Sequence, residues 1–294
     1  MNYNRKVLLG FGTFRYENGT VDSFVQSLNA AYQSKYDYID TAKYYENEAE
    51  IGQALVILKE KYGENFHFPV QTKVWTEDYL DAYNAVLGSM ERLQLKQLDS
   101  VLLHRPSTNL ANDISAWKDL IKLQKEGLVK QIGVSNYDNE MLYFFKEVTG
   151  VLPTVNQIQF NIYNARLDRY FNNSRIGISL QAWRPLTFRI NELLTDPVVQ
   201  ELAKKHQTTP TGIAIAFNKF LGIDPIIKST HPERIIANAQ AFHTINLEEA
   251  DVSKLLSLNR YDDGKIDFGS ASYPINPEYA AKLKAEVDFL RKNK

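Results

Sequence analysis

Four ionisable side chains carry the chemistry this sequence can offer: Asp40, Tyr45, Lys73 and His104. A tyrosine phenol, with an ordinary pKa of about 10, is a weak acid at neutral pH. A lysine ammonium held beside it favours the phenolate and is expected to lower that value by about 1 to 3 units. Buried alone, the ammonium would tend to lose its proton, whereas a neighbouring carboxylate holds its charge in place. An imidazole at the same point can hydrogen-bond and orient a polar oxygen. Together these types describe a general acid aimed at an oxygen on which negative charge develops. They work only as a set, so the intervening chain must bring positions 40, 45, 73 and 104 together.

All four fall where a short apolar run gives way to polar sequence. Strand-like runs cover residues 7–14, 36–40, 68–75, 99–104, 131–136, 154–159, 177–183 and 224–229. Between them lie segments of helical period, with Phe24, Leu28 and Ala31 on one face, then Ile51, Leu55, Leu58 and Tyr62. Ala82, Val86 and Leu93 mark the next, and Trp117, Leu120 and Ile121 precede a stop at Gly127. Asn47 with Glu50 three residues on reads as a capping-box start. Eight such runs, each with room for a crossover helix, are the arithmetic of an α/β fold, the parallel (β/α)8 TIM barrel. A doubly wound open sheet is the rival. Asp196-Pro197 and Thr209-Pro210 start extra helices, and residues 247–258 form another.

No Gly/Ser-rich linker divides the chain, so residues 1–294 are expected to form a single barrel domain. Residues 261–294, with a helix at 278–291, are expected to be a C-terminal tail over the barrel mouth. In such a barrel the carboxyl ends of the strands converge on one mouth. Strand two ends at Asp40 with Tyr45 in its loop, strand three at Lys73 and strand four at His104. The remaining ends carry Ser135 and Asn136, Gln157, Trp183 and Lys228.

Composition narrows the partners. With 34 basic against 35 acidic residues there is no electrostatic case for nucleic acid or an anionic membrane surface. The absence of cysteine excludes disulfides and thiol nucleophiles and fits a reducing compartment. No apolar run approaches the ~20 residues of a membrane span. A soluble cytoplasmic protein acting on a small molecule is expected, a monomer with a dimer as the alternative. No metal-binding spacing is present, and His67, His206, His231 and His243 are expected to be surface or capping residues.

The chain resembles the aldo-keto reductase superfamily over nearly its whole length. The markers, in order, are GFGTF (10–14), DTAKYYENE (40–48), QTKVW (71–75), LLHRP (102–106), IGVSN (132–136), NQIQFN (156–161), LQAWRPL (180–186) and IIKSTHPERIIAN (226–238). The resemblance implies a catalytic tetrad of Asp40, Tyr45, Lys73 and His104, and NADPH as donor of hydride to an aldehyde or ketone. It implies that Ser135, Asn136 and Gln157 bond the nicotinamide carboxamide and that Trp183 stacks on its ring. Gly12, Thr13, Asp40, Arg184, Leu186 and Asn238 join them as cofactor contacts. Lys228, Ser229, Thr230 and Arg234 take the adenosine 2′-phosphate at a helix N-terminus, which favours NADP over NAD.

Phe14, Tyr44, Trp75, His104 and Arg105 are the expected substrate-pocket residues. Several positions depart from the pattern. Arg105 replaces an aromatic after the histidine, which makes the pocket more cationic unless the side chain turns away. Arg184 replaces a small serine, Thr187 stands where glycine is common, Ile227 replaces a proline, and Ala237 stands where an acidic residue contacts adenine. An NADPH-dependent carbonyl reductase leads. A cofactor-binding sensor or docking subunit, and a barrel isomerase using the strand-eight anion site, are the alternatives.

Overall fold

The computed structural model describes residues 5–16 and 19–260. The expected C-terminal tail and its helix lie outside these residues. Eight strands form the barrel: β1 (Gly10–Gly12), β2 (Tyr38–Asp40), β3 (Val70–Val74), β4 (Leu98–Leu103), β5 (Val129–Ser135), β6 (Val155–Gln159), β7 (Ser179–Trp183) and β8 (Asp224–Ile227). Each pairs in parallel with the next. β8 pairs with β1 through Gly10↔Ile226 and Phe11↔Ile227, which closes the sheet and removes the open-sheet alternative.

The strands alternate with α1 (Val21–Gln33), α2 (Glu48–Tyr62), α3 (Ala82–Leu93), α4 (Leu110–Lys125), α5 (Asn139–Thr149) and α6 (Leu167–Arg175). Between β7 and β8 lie α7 (Ile190–Thr195), α8 (Pro197–Lys205) and α9 (Pro210–Phe220), and after β8 come α10 (Pro232–Thr244) and α11 (Glu249–Leu256). Among the described residues no helix is long and apolar enough to cross a membrane.

Local chemistry explains where elements begin and end. β1 is shorter than its apolar run because the N–H groups of Leu8 and Leu9 donate to the carboxylates of Asp224 and Asp37 instead of a strand neighbour. Asp196 and Thr209 cap α8 and α9 with proline in the first turn, as their sequence signatures predict. Gly127, at φ +75°, follows α4 and takes up the left-handed turn that L side chains resist. The capping box expected at Asn47 does not form. Its side chain instead donates from Nδ2 to Thr13 O (2.9 Å) and accepts from Thr41 Oγ1 (3.1 Å), joining the loops after β1 and β2. A reciprocal box occurs at α11, between Glu248 and Asp251.

The apolar faces of the helices pack on the outer surface of the barrel, with Trp117 of α4 fully buried and stacked on Phe145 of α5 at 5.4 Å. A Cβ at Gly52 would lie 2.3 Å from Arg92 O, so α2 and α3 meet through backbone there. Each fully buried Leu, Ile, Val or Phe contributes about 1.5–3 kcal/mol. That shell fixes the strands, and with them the residues at their ends.

Candidate active site

Side chains two apart on a strand share a face, so Gln71 and Lys73 of β3 both enter the barrel lumen while Thr72 points out to donate to Glu48 of α2. Lys73 is 1% exposed. Its ammonium has three N–H groups, and all three have acceptors: Asp40 Oδ1 at 2.6 Å, Thr41 O at 3.0 Å and Tyr45 Oη at 3.1 Å. The other carboxylate oxygen of Asp40 accepts from Gln71 Nε2 and Gln157 Nε2, both at 2.8 Å. Those two amides also donate to Gln181 Oε1, and Ser100 Oγ donates to Gln71 Oε1. Two glutamines, from β3 and β6, therefore hold one carboxylate in place, and Gln181 of β7 ties those two amides together.

A 3-10 turn at Lys43–Tyr45, closed by the left-handed Glu46 at φ +55°, splits the two adjacent tyrosines. Tyr44 stacks on Trp75 at 4.1 Å, while Tyr45 lies against Phe14 at 4.9 Å with its hydroxyl on Lys73. His104 meets Tyr45 edge-on at 5.5 Å and Trp75 at 4.9 Å. Its backbone carbonyl accepts from Asn136 Nδ2, and its ring Nδ1 is buried with no partner among the described residues.

Electrostatics assign protonation states. Burial lifts the Tyr45 phenol above its ordinary value; the Lys73 charge and hydrogen bond pull it down, Asp40 pushes it up, and the net shift is upward. The expected net lowering is thus corrected, because burial outweighs the ammonium. Burial works against the charge on Lys73, but Asp40 and Tyr45 more than offset it, so its pKa is raised and it is cationic. His104 is held well below the usual imidazole value by burial first, then by the Lys73 and Arg105 charges, and is neutral at pH 7.

These groups surround a cavity of about 350 Å³. Phe14, Tyr44, Tyr45, Trp75, His104 and Arg105 line one part of it, and Gly12, Asp40, Leu186 and Ile226 another. Ser135, Asn136, Gln157, Trp183, Arg184 and Lys228 line a third part, with Arg15, Pro185 and Ile227 between. On the polar wall Trp183 Nε1 donates to Asn136 Oδ1 (2.9 Å), Asn136 Nδ2 to Ser135 Oγ (3.1 Å) and Ser135 Oγ to Gln157 O (2.9 Å). Asn136 and Arg184 both have left-handed backbone, at φ +66° and +54°, where their strands end. Gly12 approaches β8 so closely that a Cβ would lie 3.1 Å from Ile226 Cγ2.

Five expected cofactor residues lie outside the cavity wall. Thr13 is fully buried, and its N–H and hydroxyl both donate to Asp40 O, tying β1 to β2. Ser229, Thr230, Arg234 and Asn238 follow β8 into the first turns of α10, where the helix dipole favours an anion. No carboxylate pairs with Arg234 among the described residues. Amides and a hydroxyl beside an indole at one end, and cations at a helix start at the other, are a donor set that fits a nicotinamide dinucleotide phosphate.

Sequence reasoning missed several participants. Gln71 holds Asp40 and Gln181 braces the amides of Gln71 and Gln157, and the signal was present: each lies two residues before a strand-end residue, Lys73 or Trp183, and so on the lumen face. Tyr79 and Tyr137 also escaped notice. The Tyr79 hydroxyl donates to Arg105 O at 2.6 Å and the Tyr137 hydroxyl to Asp113, so the loop after β4 is held by its neighbours. Of the other histidines, His67 and His243 are surface residues, His231 begins α10, and His206 ends α8 with its ring on Asp251.

The sequence profile of the aldo/keto reductase family matches residues 8–260. The chain belongs to this family. It is an oxidoreductase enzyme of the aldo-keto reductase type. Among its relatives, 2,5-diketo-D-gluconic acid reductase B of Corynebacterium sp. is 33% identical over 261 residues, covering 88% of this chain and 92% of that protein. Methylglyoxal reductase DkgA of Escherichia coli K12 is 33% identical over 258 residues, covering 87% and 90%. The crystal structure of a Gox0644 mutant in complex with NADPH superposes with a TM-score of 0.79 at 27% identity, covering 88% of this chain and 91% of the other.

Proposed function

We propose that this aldo-keto reductase uses NADPH to convert a small aldehyde or ketone to its alcohol, with Tyr45 as proton donor. The observation that carries the reading is the buried ammonium of Lys73, committed at once to Asp40, Thr41 and Tyr45 beside the cavity. The reduced nicotinamide, when bound, supplies a hydride. Ser135, Asn136 and Gln157 would hold its carboxamide, Trp183 its ring, and Gly12, Arg184 and Leu186 the stretch between. Lys228, Ser229, Thr230, Arg234 and Asn238 would take the phosphorylated adenosine end, and the NADPH held by the Gox0644 relative supports this choice of cofactor.

The chain's own groups manage the proton. Neutral His104 keeps one ring N–H to offer the substrate oxygen and adds no positive charge against Lys73. As that oxygen gains negative charge, Tyr45 passes it the phenolic proton: a new O–H bond forms on the product and a phenolate is left 3.1 Å from the ammonium. Lys73 stabilises that anion until solvent restores the proton, and Asp40 keeps Lys73 charged throughout. Phe14, Tyr44 and Trp75 screen the site from water, which strengthens each of these interactions. The activities named for the relatives support a small carbonyl substrate such as methylglyoxal or a diketo acid.

Tyr45→Phe tests the assignment. It is expected to lower kcat at least ~100-fold with folding intact, the scale of a lost general acid. NADPH binding, read as quenching of the tryptophan emission of Trp183 and Trp75, should persist. A loss below about 10-fold rejects Tyr45 as the acid.

A further inference from the structure

Arg105 follows His104 directly and lines the same cavity. Its guanidinium carbon lies 5.2 Å from the centre of the Trp75 ring, and the His104 ring lies 4.9 Å from that same centre. The cation and the imidazole therefore share one aromatic neighbour, and the side chain does not turn away from the pocket. Its backbone is fixed: the carbonyl accepts from Tyr79 Oη at 2.6 Å, and the N–H donates to the same oxygen at 3.4 Å. The guanidinium, by contrast, has no hydrogen-bond or carboxylate partner among the described residues, and Nε is buried without an acceptor. Contact with an indole leaves the in-plane N–H donors unspent. A buried donor without an acceptor is an exception that needs an explanation, and a ligand in the adjoining cavity would supply one.

The other cations around the cavity have different surroundings. Lys73 is neutralised by Asp40. Arg184 and Lys228 lie with the groups assigned to the cofactor, and Arg15 sits over Phe14 at 5.3 Å. Arg105 is the cation beside His104, and a planar guanidinium matches a carboxylate with two parallel hydrogen bonds. We propose that Arg105 binds a carboxylate carried by the carbonyl substrate, so that the enzyme prefers short oxo acids to neutral aldehydes of similar size. The inference rests on the carbonyl-reductase reading and names its substrate class. Because residues 104 and 105 are adjacent, the carboxylate and the carbonyl oxygen are separated by a short chain or one ring.

The test compares kcat/KM for two matched pairs: succinic semialdehyde against butanal, and 4-carboxybenzaldehyde against benzaldehyde. Wild type should favour the acid of each pair. Arg105→Met should lower that preference by ~10-fold or more, mainly through KM, and Arg105→Lys should recover part of it. Glyceraldehyde 3-phosphate separates the two oxyanions, since a larger loss with this probe than with the acids overturns the carboxylate assignment. An unchanged preference in Arg105→Met also overturns it, even while all the aldehydes are reduced. If wild type reduces none of them, the carbonyl-reductase reading fails instead, and a binding measurement still decides the role of Arg105. Ligand NMR should show 4-hydroxymethylbenzoate binding better than benzyl alcohol to wild type, with the difference reduced in Arg105→Met and in Arg105→Gln. Equal binding of the two alcohols by wild type overturns the proposal.

Discussion

Removing Lys73 and Asp40 singly and together separates charge tuning from mere proximity. A phenolate 3.1 Å from an ammonium gains about 5 kcal/mol at an effective dielectric of about 20. In a transition state with the proton partly transferred, roughly half of that is realised, so Lys73→Met is expected to lower kcat about 100-fold. Asp40 helps by keeping Lys73 charged and otherwise opposes the phenolate, so once the ammonium is gone removing the carboxylate should cost no further activity. The double variant Lys73→Met/Asp40→Asn should then match or exceed Lys73→Met in kcat.

Stability should separate the single variant from the double. Breaking a buried pair by removing one partner costs about 3–5 kcal/mol. Asp40 would retain its two amide donors from Gln71 and Gln157, which places Lys73→Met near the lower end of that range. The neutral asparagine of the double variant needs no counter-charge, so this variant should be more stable than Lys73→Met alone. The assays are steady-state NADPH oxidation at saturating substrate and urea unfolding followed by circular dichroism. Independent, multiplying losses in kcat, or a Lys73→Met loss below about fivefold, would refute the reasoning.

Arg234→Ala should reduce the preference for NADPH over NADH by about 10-fold, read as the ratio of the two concentrations that half-quench tryptophan emission; an unchanged ratio removes the 2′-phosphate from the start of α10. Asp251 gives a pH test of stability. Burial pushes its carboxyl up, but hydrogen bonds from Lys205, the Glu248 N–H and His206 more than offset this and hold it at about 2. Because the folded value is depressed below an unfolded value of about 4, the stabilisation is fully present above that pH and lost on acidification through pH 2. Asp251→Asn should therefore cost about 1–2 kcal/mol at pH 7 and flatten the stability profile between those values, measured by urea unfolding; an equally steep profile would reject the assignment.

How much of this was legible depended on whether the sequence pattern had a period. The strand ends were readable because apolar runs alternate with helical spacing, and Asp40, Lys73, His104 and Trp183 each sit at the end of such a run. Gln71 and Gln181 were legible in principle, since polar residues two before a strand end must enter the lumen of a closed barrel. Asn47 was misread because one asparagine can either cap its own helix or bridge two loops, and here Thr13 O and Thr41 supply the better partners. Tyr79, Tyr137 and Asp113 were not legible. Their hydrogen bonds link the 3-10 turn at Thr76–Asp81, the loops after β4 and β5, and α4, and no local spacing encodes that meeting.

The upward shift at Tyr45 changes how its acidity should be understood. A phenol whose pKa had already fallen to neutrality would spend much of its time as phenolate and have no proton to give. Here burial raises it, so the phenol stays protonated through the neutral range, and reduction should slow only as pH rises through that elevated value. The same exclusion of water makes the Lys73 charge effective when the proton leaves, since an ammonium acts most strongly on a nearby anion where the dielectric is low. Taking Lys73 away removes a group that lowers the phenol's pKa, so the alkaline limb of the kcat profile should move to higher pH as its plateau falls. A limb that moved down, or stayed while the plateau fell, would mean that Lys73 serves the reaction by some route other than the phenol.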